Sequence, residues 1–519
     1  MVRNASVVLG CNQILPLPPM SALKKLVSDT AIYGLPSILG RFLNYLLVPL
    51  YTRNLVPAEY GVVTEMYAYV AFLGVLLTYG METAFFRFYN SEENKQKVFS
   101  TAMASLLATS FIFIGLIFLL KWPLANFLGM HSNPEMIDRY ADYLLWFVFI
   151  ISIDAVTAVP FARLRALNRP IKFAIIKLLG IFANVSLNLF FILGIPFMLQ
   201  HHIAEEFVQS ISQFNLVRCI FIINLFSSAV TLVLLIPESV FSLKDADKAL
   251  LRRMLVYGLP ILVMGLAGMV NETFDRIMLK YLLPLSPERT MHEVGVYGAC
   301  YKLSIIMTLC IQAFKYAAEP FFFARHRQDD NRKIYADVMT YFVLGCSLVF
   351  LGTMLYMDLI QYFIGNKDSE YLEGLAIVPI LLLANMCLGI YYNLSIWFKL
   401  TDRTRAGAII SIFGAVLTLV LNYLLIPIMG YMGAAYTTLI CYAAMMIMSW
   451  AWGQRCFPVP YELLKIAFFI LLAVLIYLLS LHIESNGLIE KLAINSILII
   501  VYAGLAYGVV RIRAKSSLS

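Results

Sequence analysis

The chain has 519 residues, of which 61% are hydrophobic and only 13% charged, with a formal net charge of +8. A soluble chain of this size carries about twice that charged fraction, so a soluble globular enzyme is excluded as the main architecture. The positive charge falls in short connectors rather than in one patch, so it indicates orientation in a membrane and not nucleic-acid binding. The eight cysteines form no CxxC pair, and neither a redox motif nor a zinc site is indicated.

Residues 1–20 hold an apolar stretch too short for an ordinary signal peptide. Val8-Leu9-Gly10-Cys11 fits a lipoprotein box poorly at Leu9. The run MSALKKLVSDTAIYGLP from Met20 reads as a natural start, so residues 1–19 are expected to be an extension, disordered or absent from the native protein.

From there, apolar runs long enough to cross a ~30 Å hydrocarbon core as helix follow one another along the whole chain. They are read at 30–52, 60–82, 98–120, 141–160, 173–197, 216–236, 253–282, 295–320, 336–364, 373–398, 406–428, 431–452, 461–481 and 492–510. The expected fold is all-α and polytopic, with about fourteen transmembrane helices. Residues 21–236 form a first lobe of spans 1–6, 237–252 a linker, and 253–452 a second lobe of spans 7–12. Residues 453–519 hold spans 13 and 14 and a basic tail.

The connectors test this map. Numbered alternately from the N-terminus, side one carries clusters such as Arg163, Arg165, Arg169 and Lys172, then Lys244, Lys248, Arg252 and Arg253. It ends on Arg511, Arg513 and Lys515. Side two carries scattered cations: Arg53, Lys121, Arg139, Lys280, Arg289, Lys367 and Lys491. Such a bias places side one, and both termini, in the cytoplasm.

The chain also carries a weak duplicate of itself. Tyr33-Gly34-Leu35-Pro36 opens span 1 and Tyr257-Gly258-Leu259-Pro260 opens span 7. Tyr60-Gly61 and Glu82 recur at equal spacing as Tyr297-Gly298 and Glu319. Arg169, Gly180 and Asn188 recur as Arg403, Gly414 and Asn422. Each half has an even number of spans, so both enter the membrane the same way round and form parallel repeats. Two such halves leave a cleft between them.

PLYTRNLVPAEYG, residues 49–61, resembles the connection between the first two helices of the oligosaccharide flippases. These are the polysaccharide-biosynthesis branch of the superfamily that also contains the multidrug and toxin extruders. Asp275-Arg276-Ile277 followed by Val294-Gly295-Val296-Tyr297 is similar to that family's helix 7–8 region. The resemblance covers about residues 21–510. It implies two six-helix bundles in a V, alternating access, and movement of undecaprenyl-diphosphate-linked sugars to the periplasmic leaflet. In that reading the protein sits in the bacterial cytoplasmic membrane and works beside a polysaccharide polymerase and glycosyltransferases.

A charge near the bilayer centre costs about 2.5–3.5 kcal/mol on insertion scales, so deep charges face a cavity or a partner. The deep basic residues are Arg41, Arg276, Lys302 and Lys315; the deep acids are Glu65, Asp154, Glu272 and Asp275. Lys177, Glu82 and Glu319 lie near enough to span ends to snorkel. On span 8, Tyr297, Tyr301, Ser304, Thr308, Gln312, Lys315 and Glu319 share one helical face and are expected to wall the cleft. A guanidinium fork suits phosphate oxygens, so Arg41 is the first candidate for the diphosphate. Lys315, Lys302, Gln312 and Arg276 complete the substrate set. Glu65 and Lys302 are repeat-equivalent and are expected to pair as an outer gate. Glu272 and Arg276 have the favourable i,i+4 order for an ion pair on one helix. Asp154, with Glu272 and Asp275, is a candidate for gating or for proton or sodium coupling.

His201, His202, Glu205 and Glu206 cluster after span 5 but lack a metal-ligand spacing, so no metal is expected. No Walker loop, Rossmann fingerprint, HExxH or GxSxG occurs, and a transporter without cofactors is expected, not an enzyme. The rival readings are a multidrug cation antiporter or lipid II flippase of the same fold. A membrane glycosyltransferase or ligase is disfavoured by the short outer loops, and a channel by the duplicated halves.

Overall fold

The computed structural model describes residues 38–130, 134–203, 215–325, 332–484 and 487–516. The expectations for residues 1–20, for the Tyr33-Gly34-Leu35-Pro36 opening, for Glu205 and Glu206 and for the Glu319 side chain lie outside what is described. The described residues contain helices and no strand. Thirteen of the described helices are long and apolar enough to cross a membrane. They are α2 (Pro57–Ser91), α3 (Lys95–Leu128), α4 (Pro134–Ala166), α5 (Pro170–Gln200), α6 (Leu216–Glu238), α7 (Lys248–Leu282) and α8 (Pro287–Arg325). Then come α9 (Arg332–Leu355), α10 (Glu370–Leu400), α11 (Thr404–Met429), α12 (Tyr431–Cys456), α13 (Leu463–Ser480) and α14 (Leu488–Ser516). A helix over 38–54, α1, precedes them and is interrupted at Leu47. The protein is therefore the expected all-α, multi-pass membrane protein, with two six-helix bundles followed by α13 and α14.

Local chemistry sets the element ends. Pro57 opens α2 after an extended Val56, where its fixed φ fits and no N–H is missed. Asn94 caps α3 by accepting from the Lys97 N–H, and Asp247 caps α7 by accepting from the N–H groups of Ala249 and Leu250. The Lys97 ammonium, 2.6 Å away, together with those N–H groups, holds the Asp247 carboxyl down to about 2. Leu250 and Met254 of α7 bury against Phe85, Phe99 and Met103 of the first half.

Contacts between connectors respect the two sets read from the sequence. Arg53 donates to the Tyr362 carbonyl, Tyr371 to the Leu55 carbonyl, and Lys491 pairs with Asp358. Arg53, Leu55, Tyr371 and Lys491 are side-two connector residues, and Asp358 and Tyr362 lie at the side-two end of the span read at 336–364. Arg253 pairs with Glu92, Lys172 with Glu238, and Arg332 donates to the Pro458 carbonyl; all are side-one residues. A missed span would have mixed the sets.

Helix α2 joins the halves. Near side two it packs against α8 backbone to backbone. A Cβ at Gly295 would fall on the Pro57 carbonyl, and one at Gly61 on the Met291 carbonyl. Toward side one, α2 breaks where Tyr79 and Gly80 take left-handed φ of 34° and 71°. There a Cβ on Gly80 would fall on the Gly258 carbonyl of α7. Gly295→Ala is expected to lower the melting temperature of the detergent-solubilised protein. Alanine is the better helix former by about 1 kcal/mol, so a loss isolates the steric conflict, worth about 1–3 kcal/mol. Gly74→Ala on α2, whose Cβ meets nothing within 4 Å, is the control and is expected to be neutral or stabilising.

Candidate functional site

A cavity of about 920 Å³ lies between the two halves. Arg41 and Asn44 of α1, Tyr60, Thr64 and Tyr67 of α2, and Asp154 and Thr157 of α4 line its first-half wall. Lys177 and Asn184 of α5 and Asn224, Ser227 and Ser228 of α6 complete that wall. The second-half wall carries Glu272, Thr273 and Arg276 of α7, and Tyr301, Lys302, Thr308 and Gln312 of α8. Asn385, Tyr392 and Tyr442 close it. Carboxamides, hydroxyls, phenol rings and charges thus alternate around one volume.

The structure brings Arg41, Lys302, Gln312, Arg276, Asp154 and Glu272 to this cavity, as the sequence suggests. The ammonium of Lys315 sits 4.8 Å from the Tyr392 ring, just behind the same wall. Of the polar face of α8, Tyr301, Thr308 and Gln312 reach the cavity. Tyr297 is buried instead and donates to Asp275 at 2.5 Å. Ser304 is buried too, accepting from Asn385 at 3.2 Å.

Two expected pairings are corrected. Glu65 does not pair with Lys302. Its Oε1 lies 2.6 Å from the ammonium of Lys280, on α7, with side-chain exposures of 0% and 1%. Lys280 also donates to the Leu128 carbonyl at 2.5 Å and to the Tyr140 hydroxyl at 3.2 Å. Tyr140 in turn donates to Glu65 at 3.0 Å. All three ammonium protons are used, which is what a buried charge requires. Lys280 is therefore not one of the scattered side-two connector cations among which the sequence reading counts it, although it falls inside the span read at 253–282. It lies in the last turn of a helix that runs to Leu282. Its place two residues from the end of an apolar run is the signal that could have found it.

Nor does Arg276 pair with the carboxylate of Glu272. It donates to the Glu272 main-chain carbonyl at 2.8 Å and to Asp275 Oδ1 at 3.1 Å, and lies 4.2 Å from the Tyr301 ring. The adjacent acid wins because the Asp275 carboxylate is buried beside it. Asp275 is consumed by this pair and by Tyr297, and is not part of the cavity wall.

Other site residues escaped the sequence reading. Arg165, assigned to a side-one connector, lines the cavity and pairs with Glu82. Lys177 lines it too, with its ammonium 4.3 Å from the Phe161 ring, rather than snorkelling. Asp154 accepts from Ser228 at 2.9 Å. Asn224 donates to the Tyr67 hydroxyl at 2.6 Å. Lys177, Asn184 and Asn188 share one face of α5, and that spacing was the available signal.

A cavity enclosed by two six-helix bundles, walled by charges that a bilayer does not tolerate against lipid, defines a transporter fold. Solved structures agree on the fold. The lipid II flippase MurJ in its inward closed conformation superimposes with a TM-score of 0.68 at 14% identity, covering 94% of this chain and 99% of that one. An inward-facing multidrug resistance MATE-family transporter of the MOP superfamily gives 0.58 at 15% identity, covering 88% and 97%. A MOP superfamily transporter from Pyrococcus furiosus gives 0.57 at 15% identity, covering 85% and 96%. No curated protein matches by sequence. The chain belongs to the polysaccharide biosynthesis protein family, whose model matches residues 26–326.

Removing one partner of the Glu65–Lys280 pair strands a buried charge, a change worth about 3–5 kcal/mol. Lys280→Met is expected to destabilise the protein strongly in a denaturation series. Glu65→Gln combined with Lys280→Met should recover most of that loss. A double variant no better than the single one would show that the two residues do not act as a pair.

Proposed function

We propose that this protein moves a polyprenyl-diphosphate-linked oligosaccharide across the bacterial cytoplasmic membrane, from the cytoplasmic to the periplasmic leaflet, by alternating access. It is not an enzyme, both termini are cytoplasmic, and polymerase and glycosyltransferases act before and after it. The observation that carries this reading is the composition of the cavity. Arg41 and Lys302 face it and make no hydrogen bond or ion pair with another described residue. They are free to take phosphate oxygens. Asn44, Asn184, Asn224, Asn385 and Gln312 supply paired donors and acceptors for sugar hydroxyls, and Tyr67, Tyr301 and Tyr392 supply ring faces. Membership of the polysaccharide biosynthesis family supports the same substrate class.

A second reading has its own observation. Asp154 and Glu272 are carboxylates facing the cavity, as a cation antiporter requires. In the flippase reading Asp154 is the first candidate for proton or sodium coupling.

One charge-assisted contact to phosphate is worth about 1.5–3 kcal/mol, so Arg41→Ala is expected to slow translocation by roughly ten- to a hundredfold. The checks are the appearance of lipid-linked oligosaccharide in the far leaflet of proteoliposomes, and surface polysaccharide in cells with normal protein levels. Unchanged polysaccharide together with altered resistance to organic cations would overturn the flippase reading in favour of the antiporter.

A further inference from the structure

Glu272 poses a problem for a cavity that takes a diphosphate. Its carboxylate faces the same space as Arg41, Arg276 and Lys302. An i,i+4 arginine would normally occupy it, but Arg276 is turned to the Glu272 main-chain carbonyl, to Asp275 and to the Tyr301 ring. The carboxylate thus makes no hydrogen bond or ion pair with another described residue. Three cations still act on its charge: Arg41, Arg276 and Lys315. Of these, Arg41 stands on α1 in the first half, whereas Glu272 stands on α7 in the second. An anion fixed among the cations that receive an anionic substrate repels that substrate, and it offsets those cations when the substrate is gone.

We infer that Glu272 is a built-in counter-anion for Arg41, standing in the emptied cavity for the diphosphate of the substrate. This rests on the diphosphate reading of the cavity given above. In the loaded state the diphosphate takes Arg41 and displaces the influence of Glu272. After release, Glu272 neutralises Arg41 across the gap between the halves. The empty cavity then closes and reverses without an uncompensated charge in a low-dielectric space. Affinity is sacrificed for turnover, because the carboxylate weakens a grip that would otherwise hold the product.

The test uses the full chain in lipid nanodiscs, with undecaprenyl diphosphate as the probe, and proteoliposomes for steady-state translocation. Glu272→Gln keeps the shape and removes the charge. It is expected to bind the probe about tenfold more tightly, as removal of one nearby like charge implies, while steady-state translocation falls severalfold. Glu272→Asp keeps the charge and is expected to hold wild-type affinity. Unchanged or weaker binding by Glu272→Gln overturns the proposal, as does an equal gain in both variants, which marks a packing effect. Equal binding of the probe by wild type and Arg41→Ala removes the diphosphate reading itself, and the proposal with it. That outcome is told apart because it appears without any change at Glu272.

Discussion

The structure depends on how closely α2 approaches the second half. At Gly61 and Gly295 the backbones of α2 and α8 touch, and at Gly80 and Gly258 those of α2 and α7 touch. No side chain fits at either place. These two crossings hold a first-half helix against a second-half pair at both ends. The volume between the crossings cannot be filled by helix packing, and it becomes the cavity. Small residues at helix crossings are the usual means of close approach in a bilayer, where apolar burial between helices gives little drive.

The charges follow from that geometry. Side chains that the crossings bury must find complete partners. Lys280 does so with Glu65, Tyr140 and the Leu128 carbonyl, and Asp275 with Arg276 and Tyr297. Of the charged side chains that face the cavity, some are paired as well, Arg276 with Asp275 and Arg165 with Glu82. Arg41, Lys302, Asp154 and Glu272 retain capacity for a ligand or an ion. The same residue types therefore divide into structural pairs and groups left open to the cavity.

Much of this was legible in the chain. The spans, the two connector sets and the polar face of α8 follow from periodicity and charge. The cavity residues on α8 were legible because Tyr301, Thr308 and Gln312 recur on one face. The pairing of Glu65 was not. The repeat offset brings Glu65 and Lys302 to equivalent positions, but equivalence under an axis does not fix which side chain an acid meets. Lys280 reaches it instead, because the last turn of α7 sets its ammonium beside Glu65 of α2.

The sequence by itself determined that this is a duplicated, multi-pass helical protein with charges it must hide, because hydropathy and connector charge act locally along the chain. Only the tertiary structure decided which charges are hidden and which remain free. That choice rests on the close backbone approach between α2, α7 and α8, and on donors such as Tyr140 and Ser228 that come from distant parts of the chain. Contacts of that range leave no period or spacing in the sequence.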